Sequence, residues 1–341
     1  MAVGLREPAV VVQQSFPEPR PTTNPYIVML LRAIEATDGL TLRTFSWRRA
    51  LLGRYHVFHV HWPEILVSGS TAPRRVVRQM LTAVLLVRLR LTRTPVVRTL
   101  HNLQRPSGLS RTQHLLLSGF ERRTTLQVLL NTSTAVPADR AWRVILHGHY
   151  RDWYAARPRP GQVPGRYAFF GLLRRYKGVD QLVEAFRRLP GPFSLEVAGK
   201  PSGVELQQRL AGLAAGDQRI ALRFAFLSDD ELAAVAARAE LVVLPYREMH
   251  NSGGALAALS LDRPVLMPDN EVNRRLAEEV GPGWVLGYSG ELDADDLRAA
   301  LGEVRSAPRA DRPDLGARDW DLAGQQHAEA YRAAIALSRG P

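Results

Sequence analysis

The 341-residue chain is too long for one ordinary hydrophobic core and suits two domains of roughly 150 residues each. It has no cysteine, which excludes disulfides and thiolate metal sites, and no window reaches the roughly 20 apolar residues that a spanning helix needs. The net charge of +12 is unevenly placed: residues 1–165 carry 23 arginines against eight acids, or +15, leaving −3 for residues 166–341. A basic half of this kind suits nucleic acid, an anionic lipid surface or a phosphorylated substrate, and charge alone does not choose among them.

At the N-terminus a short apolar run ends in glutamines, without an h-region or a small-residue cleavage site, so no signal peptide is expected. A buried strand is predicted over 9–12. The segment QSFPEPRPTTNPY, 14–26, is too rich in proline for a helix and is expected to be exposed. Residues 26–36 follow with a helical pattern, Asn24 as N-cap and Pro25 at the first helical position. Further strands are predicted over 40–45, 57–61 and 95–100, the second ending in HVHWPE and the third in HN. Strands alternating with helices predict an α/β protein with a doubly wound parallel sheet.

Residues 71–91 read as a helix entered through Arg74, Arg75 and Arg78. One apolar row, Val76, Met80, Ala83, Val84, Val87 and Leu91, is flanked by a second, Leu81, Leu85 and Leu89. Two readings follow: a buried core helix with a basic entry, or an arginine-rich helix lying in a membrane interface. Strands over 126–131 and 143–146 close the first domain, 1–157, and PRPGQVPG at 158–165 has the composition of a linker.

The second domain, 166–319, repeats the alternation, with strands near 167–170, 194–198, 220–224, 241–244 and 264–267, and the tail, 320–341, carries a final helix. In its opening stretch Val179, Leu182, Val183 and Phe186 form one helical face at spacing i, i+3, i+4, i+7. Arg174, Arg175 and Lys177 therefore sit between the carboxyl end of a strand and a helix start. That is the usual ligand position of an open α/β sheet and suits a diphosphate, although solvated loop cations would give the same pattern. A second anion-suited start, Asn251, Ser252 and Gly253, lies in PYREMHNSGGALAALSLDRPVLMP, and an ordinary capped helix would read alike. Together the two could grip one diphosphate. Neither GK[ST] nor GxGxxG is present, so a P-loop and a dinucleotide fingerprint are unsupported.

Polar residues at the strand ends of the first domain are Gln13, Gln14, Glu18, His59, His61, Glu64, His101, Asn102, His147 and His149. They are expected to line one wall of a cleft between the domains. The histidines have no metal-ligand spacing, a strand-end histidine is more often hydrogen-bonded structure than ligand, and no structural metal is expected.

The stretches FFGLLRRYKGVDQLVEAF and LVVLPYREMHNSGGALAALSLDRPVLMP and the terminal helix resemble GT-B glycosyltransferases, in which two Rossmann-like domains face across a cleft and clasp a nucleotide sugar. NPY at 24–26, RYHVFHVHWPE at 54–64, TPVVRTLHN at 94–102, ILHGHYRDW at 145–153 and EVGPGW at 279–284 resemble glycosyltransferase family 94, the mannosyltransferases of exopolysaccharide assembly. The resemblance implies an inverting enzyme that moves mannose from GDP-mannose to a sugar hydroxyl of a polyprenyl-diphosphate-linked oligosaccharide. The basic first half and the arginine-led apolar helix are expected to dock on the inner face of the membrane, no cofactor is expected, and metal is optional because Arg174 and Lys177 can neutralise the diphosphate. The C-terminal helix would return to the first domain.

On this resemblance Arg174 and Lys177 fall where the donor diphosphate is held, with Tyr246, Asn251, Ser252 and Gly253 at the phosphate-binding helix start. Many GT-B transferases carry two glutamates eight residues apart in this region. Here those positions hold Met249, next to Glu248, and Ala257, so ribose recognition would pass to Glu271 or the loop at Lys200. The general base that inversion requires is sought among Glu18, Glu64 and His101, and Arg74, Arg75 and Arg78 are the expected membrane contacts. The competing functions are a retaining GT-B transferase using another nucleotide sugar, a non-catalytic sugar-nucleotide-binding subunit, and a nucleic-acid-binding protein. The last is disfavoured because the arginines are not interleaved with stacking aromatics.

Overall fold

A computed structural model describes residues 9–102, 104–136, 139–247 and 251–339. The chain divides into two compact units, one of Met1–Gly148 with Arg318–Pro341 and one of His149–Ala317. Residues 149–165, which include the stretch with linker composition, group with the second unit.

The first unit runs β1 (Val10–Gln14), α1 (Pro25–Glu35), β2 (Leu40–Arg43), α2 (Trp47–Leu52), β3 (Val57–Val60), α3 (Pro63–Val67), α4 (Ala72–Leu91), β4 (Val96–Leu100), α5 (Arg111–Arg123), β5 (Thr124–Leu129) and β6 (Trp142–Val144). Its strands form one parallel sheet in the order β2-β1-β3-β4-β5-β6. The start of α1 is the one the sequence predicts: Asn24 Oδ1 accepts from the Tyr26 amide at 3.0 Å, and Pro25 occupies the first turn, where its missing N–H costs nothing. The preceding loop departs from expectation. Gln14, Ser15 and Phe16 are buried, because β1 extends through Gln14 and Phe16 packs edge-on against His61.

The last helix of the chain, numbered α13 below, is Trp320–Arg339 and packs on α1 and on β3, β4 and β5 of this first unit. Small residues permit the approach. A side chain on Gly324 would come within 2.7 Å of the Ala33 carbonyl oxygen of α1. The return brings Tyr331 and His327, both buried, against the sheet.

In the second unit the order is α6 (Arg151–Tyr154), β7 (Arg166–Phe170), α7 (Val179–Arg188), β8 (Ser194–Ala198), α8 (Val204–Ala214), β9 (Ile220–Arg223), α9 (Asp229–Arg238), β10 (Leu241–Val243), α10 (Gly253–Ser260), β11 (Val265–Pro268), α11 (Glu271–Val280), β12 (Val285–Tyr288) and α12 (Ala294–Ser306). The strands again form one parallel sheet, ordered β12-β11-β10-β7-β8-β9. The sequence reading omitted β12, whose few residues carry a glycine and only alternate burial. Helix α7 buries Val179, Leu182, Val183 and Phe186, the face read from their spacing.

Chain order runs outward from β7 through β9 on one side of this sheet and from β10 through β12 on the other. The loops after β7 and β10 therefore adjoin at the switch point, where open α/β sheets bind ligands. Glycine makes the junction possible. Gly178 has φ of 60° and lies so close to the loop after β10 that a Cβ would stand 2.1 Å from the Pro245 carbonyl oxygen. Replacing Gly178 with alanine adds both a left-handed non-glycine residue and a backbone clash, and should destabilise the protein by about 2 kcal/mol or more. Equilibrium denaturation of Gly178→Ala beside the parent protein measures this, and an unchanged midpoint and slope would contradict the packing described.

Candidate active site

At the second-unit switch point the chain leaves β7 through Gly171, makes a single 3-10 turn at Arg175–Lys177, and enters α7. The turn directs Lys177 back over the sheet. Its Nζ lies 5.1 Å from the centroid of the Tyr246 ring and 5.8 Å from that of Phe169, and 3.8 Å from where a Cβ on Gly171 would be. Burial, with a smaller contribution from the nearby Arg174 charge, pushes the ammonium pKa from 10.5 down to about 8. No carboxylate among the described residues pairs with it.

Tyr246 links this lysine to the start of α10. It is buried, its hydroxyl is hydrogen-bonded to Ser252, and a Cβ on Gly254 would approach that hydroxyl at 3.2 Å. Ser252 caps the helix, its Oγ accepting from the Ala255 amide at 3.1 Å. Asn251 and Gly253 flank the cap, half-buried, and the Ala-rich helix behind them is buried from Ala255 to Ser260. An ammonium, a phenol and a helix N-terminus are thus gathered where two switch-point loops meet. That set suits a diphosphate, which takes charge from the lysine and hydrogen bonds from backbone N–H groups.

Other residues expected at this site are distributed differently. Arg174 is exposed and has no ion pair among the described residues, whereas Arg175 pairs with Glu205 at 2.5 Å and turns to a separate pocket lined by Asp180, Arg209 and Arg247. Lys200 is exposed on the loop after β8. That loop lies against the β7 loop, Leu173 donating its amide to the Lys200 carbonyl at 2.9 Å. Glu271 opens α11 and is paired with Arg275 of its own helix at 3.0 Å. Ala257 is buried within α10, while Glu248 and Met249 lie outside the described residues.

In the first unit the switch point falls between β1 and β3, and it is filled by a hydrogen-bonded cluster. His59 Nδ1 lies 2.8 Å from the Tyr331 hydroxyl and its Nε2 2.9 Å from Thr99 Oγ1. His61 Nε2 is 3.2 Å from Gln14 Oε1, and its Nδ1 is 3.1 Å from His101 Nε2. Burial holds these imidazoles neutral: His61 falls to about 3, and His59 and His101 are held well below the ordinary histidine value, with neighbouring histidines adding to the effect. His147 and His327 are likewise lowered by burial, each to about 4.

His101 stacks on Trp62 with ring centroids 3.8 Å apart and planes 17° from parallel. Both rings line a small pocket together with Glu64, Arg98, Asn102, Arg105 and Glu121. Glu64 stands in the first turn of α3, and burial raises its carboxyl pKa despite the Arg98 charge. Two of the three candidate bases, Glu64 and His101, therefore share one pocket. Glu18 does not join them: it accepts from Thr44 Oγ1 at 2.9 Å and lines a different, wide pocket with Glu35, Arg43 and Arg49. Sequence reasoning did not find Trp62 as a partner of His101, nor the contribution of Tyr331 from the far end of the chain. The aromatic in HVHWPE was the available signal for the first, and nothing local signals the second.

Helix α4 buries one of its apolar rows and exposes the other. Leu85 and Leu89 are fully buried against the core with Phe58 and Phe120, and Thr82 donates to the Leu66 carbonyl at 3.0 Å. The other row faces outward: Val76, Val77, Met80, Val84, Val87 and Leu91 are each 52–78% exposed. Ile65 of α3 and Leu115 of α5, helices that pack on α4, are also more than half exposed. Arg74 and Arg75 are exposed at the helix start, and Arg78 donates to the Ser68 carbonyl at 2.8 Å while remaining exposed. Among the described residues, no helix is long and apolar enough to cross a membrane.

Two α/β units, each built on one parallel six-stranded sheet, are the architecture of a GT-B glycosyltransferase. Solved structures share the fold over nearly the whole chain. Anabaena HepE in complex with UDP has a TM-score of 0.57 and 13% identity, with 97% of each chain covered. An α,α-trehalose-phosphate synthase (UDP-forming) from Burkholderia vietnamiensis has a TM-score of 0.60 and 14% identity, covering 97% of this chain and 100% of its own. A family model described as "Glycosyl transferases group 1" matches residues 164–304, most of the second unit. Two proteins of Xanthomonas campestris pv. campestris, one of them from a specified strain, are GDP-mannose:glycolipid 4-β-D-mannosyltransferases. Each is 43% identical over 329 residues, 96% of this chain and 93% of its own length. The chain belongs to the glycosyltransferase family of these mannosyltransferases.

Lys177 and Lys200 are the only lysines in the chain, which makes the state of Lys177 directly readable. After reductive methylation with ¹³C-formaldehyde, two dimethyl-lysine signals are expected beside that of the terminal amine, and the one abolished by Lys177→Arg should titrate with a midpoint near pH 8. Because burial lowers this pKa, the residue is fully protonated only well below that pH. A midpoint at the ordinary lysine value would place Lys177 in water instead of over the aromatic rings.

Proposed function

We propose that the chain is an inverting mannosyltransferase that moves mannose from GDP-mannose to a sugar hydroxyl of a polyprenyl-diphosphate-linked oligosaccharide. The observation that carries this reading is the 43% identity, over 96% of the chain, to enzymes that act on GDP-mannose and a glycolipid. A β-linked product from an α-linked donor sugar means a single displacement. One group must take the acceptor proton while others stabilise the departing GDP.

In the second unit we assign the departing diphosphate to Lys177 and Arg174, cations with no ion pair among the described residues, and to the start of α10 at Asn251, Ser252 and Gly253. Tyr246 holds the two halves of that set together. Lys200, on the loop beside Gly171, is assigned to the nucleoside end of the donor, whereas Glu271 is retained only as a helix ion pair. In the first unit we assign the acceptor hydroxyl to the Trp62 pocket and the base to Glu64, a carboxyl that lines that pocket and whose proton affinity burial raises. Burial lowers the proton affinity of its neighbour His101.

The acceptor is a lipid, and we place the enzyme on the cytoplasmic face of the membrane through α4. Outward Val76, Met80, Val84, Val87 and Leu91 would enter the interface, with Arg74 and Arg75 meeting anionic headgroups.

For chemistry, Arg174→Ala or Lys177→Ala should lower kcat/KM for GDP-mannose at least tenfold, the loss of a charge-assisted contact worth about 1.5 to 3 kcal/mol. Glu64→Gln should slow transfer by about 100-fold or more while GDP binding stays near that of the parent enzyme. Full turnover by Glu64→Gln would remove the base assignment, and unchanged kinetics in the cation variants would remove the diphosphate assignment.

For the membrane, sedimentation with vesicles containing anionic lipid should pellet the enzyme in a salt-dependent way. Each cation near such a surface contributes about 1 kcal/mol. An Arg74→Glu, Arg75→Glu, Arg78→Glu triple variant and a separate Met80→Glu, Val84→Glu variant should both lose pelleting. Equal pelleting on neutral vesicles, or none lost in either variant, would show that α4 does not hold the enzyme on lipid.

A further inference from the structure

The first-unit histidine cluster is more than inert packing, because its hydrogen bonds have a polarity and the polarity ends at His101. Gln14 is fully buried on β1 and pairs in register with His59 of β3. Its amide nitrogen lies 3.4 Å from both His59 Nδ1 and the Tyr331 hydroxyl, and its oxygen faces His61 Nε2 at 3.2 Å. With the Gln14 amide turned this way its oxygen can only accept, which puts the His61 proton on Nε2. A neutral imidazole has one N–H, which leaves His61 Nδ1 as an acceptor. The group facing that nitrogen at 3.1 Å is His101 Nε2, which must then donate. His101 Nδ1 is left unprotonated, and no described residue gives it a hydrogen bond.

On the far side His59 Nε2 lies 2.9 Å from Thr99 Oγ1 and its Nδ1 2.8 Å from the Tyr331 hydroxyl, whose oxygen accepts from the Gln14 amide. Either His59 tautomer satisfies these contacts, so the direction is set at Gln14 and His61. The rings have little freedom to turn over. Phe16 meets His61 edge-on at 5.3 Å, Tyr26 meets His101 edge-on at 5.3 Å and 89°, and Trp62 covers the His101 face.

We propose that Gln14 and His61 are positioning residues that act through His101: they fix its proton on Nε2, so that Nδ1 is presented to the Trp62 pocket as a hydrogen-bond acceptor for a sugar hydroxyl. The proposal rests on the reading of that pocket as the acceptor site. It adds the specificity element. Glu64 takes the reacting proton, whereas His101 orients the sugar by accepting from a hydroxyl that a deoxy sugar would lack. A site built to accept from a hydroxyl discriminates against the analogue without it, because the bound sugar shuts water away from an acceptor that is then left unpaired. The C-terminal helix takes part through Tyr331, which completes the far end of the same chain of bonds.

The direct test is the tautomer itself, read by long-range ¹H–¹⁵N correlation on protein labelled at histidine, with His101→Asn used to assign the His101 signals. The expected result is an Nε2–H tautomer for His101 in the parent enzyme at pH 7. In Gln14→Met the Nε2–H form should give way to a mixture, and kcat should fall about tenfold or more while KM for GDP-mannose stays within twofold. An Nδ1–H or charged His101 in the parent enzyme overturns the proposal without recourse to any variant. So does a His101 tautomer that survives Gln14→Met unchanged, or one that changes at undiminished turnover. The readout separates this proposal from the base assignment: if Glu64→Gln proved fully active, the tautomer result would still stand or fall on its own.

Discussion

A largely buried cation with no carboxylate partner among the described residues is the constraint on which the second unit turns. The Lys177 ammonium lies over two aromatic rings, and its pKa is lowered from 10.5 to about 8, on the order of 3 kcal/mol against the charged form. Nothing among the described residues offsets that cost by ion pairing. The surrounding structure instead enforces it. Gly171 lets the chain turn without a side chain in the way, Gly178 lets the loop lie against Pro245, and Tyr246 joins the lysine to the start of α10. An anion arriving between Lys177 and the helix start would restore the lost electrostatic energy, which is why the loop is better explained by a diphosphate than by stability alone.

The first unit follows the opposite rule. Its switch point is crowded with groups that titrate near neutrality in water, yet burial keeps them uncharged, and the hydrogen bonds among Gln14, His59, His61, His101 and Tyr331 satisfy most of the polar atoms that burial would otherwise leave costly. Beside the cluster His327 Nε2 is buried with no partner among the described residues. The carboxylate chemistry stands at the margin of this neutral cluster, where Glu64 shares a pocket with Trp62 and His101. In the proposed reading one unit offers charge to a leaving group, and the other offers neutral hydrogen-bonding groups and the Glu64 carboxyl to a sugar.

Much of this was legible in the sequence because it depends on local pattern. Apolar spacing gave α7 and the strand β7 before it, Asn24 and Pro25 gave the start of α1, and the cations of 174–177 fell where a strand end meets a helix. What stayed hidden depends on contacts distant in sequence. The pairing of Arg175 with Glu205, the burial of Gln14 and the arrival of Tyr331 from α13 have no local signature. Helix α4 shows the boundary between the two. Its two apolar rows were visible, but which row faced the core was decided by where α3 and α5 pack against it, and only the fold supplies that.

The central claim, transfer of mannose from GDP-mannose with inversion, is tested most directly by one assay. Purified enzyme is incubated with lipid-linked oligosaccharide acceptor and, in parallel, GDP-mannose, GDP-glucose, UDP-glucose and UDP-galactose, and the anomeric configuration of the new linkage is read by NMR. The account predicts turnover with GDP-mannose above the other donors and a β-mannosidic product. An α-linked product, or preferred transfer from another nucleotide sugar, would contradict it.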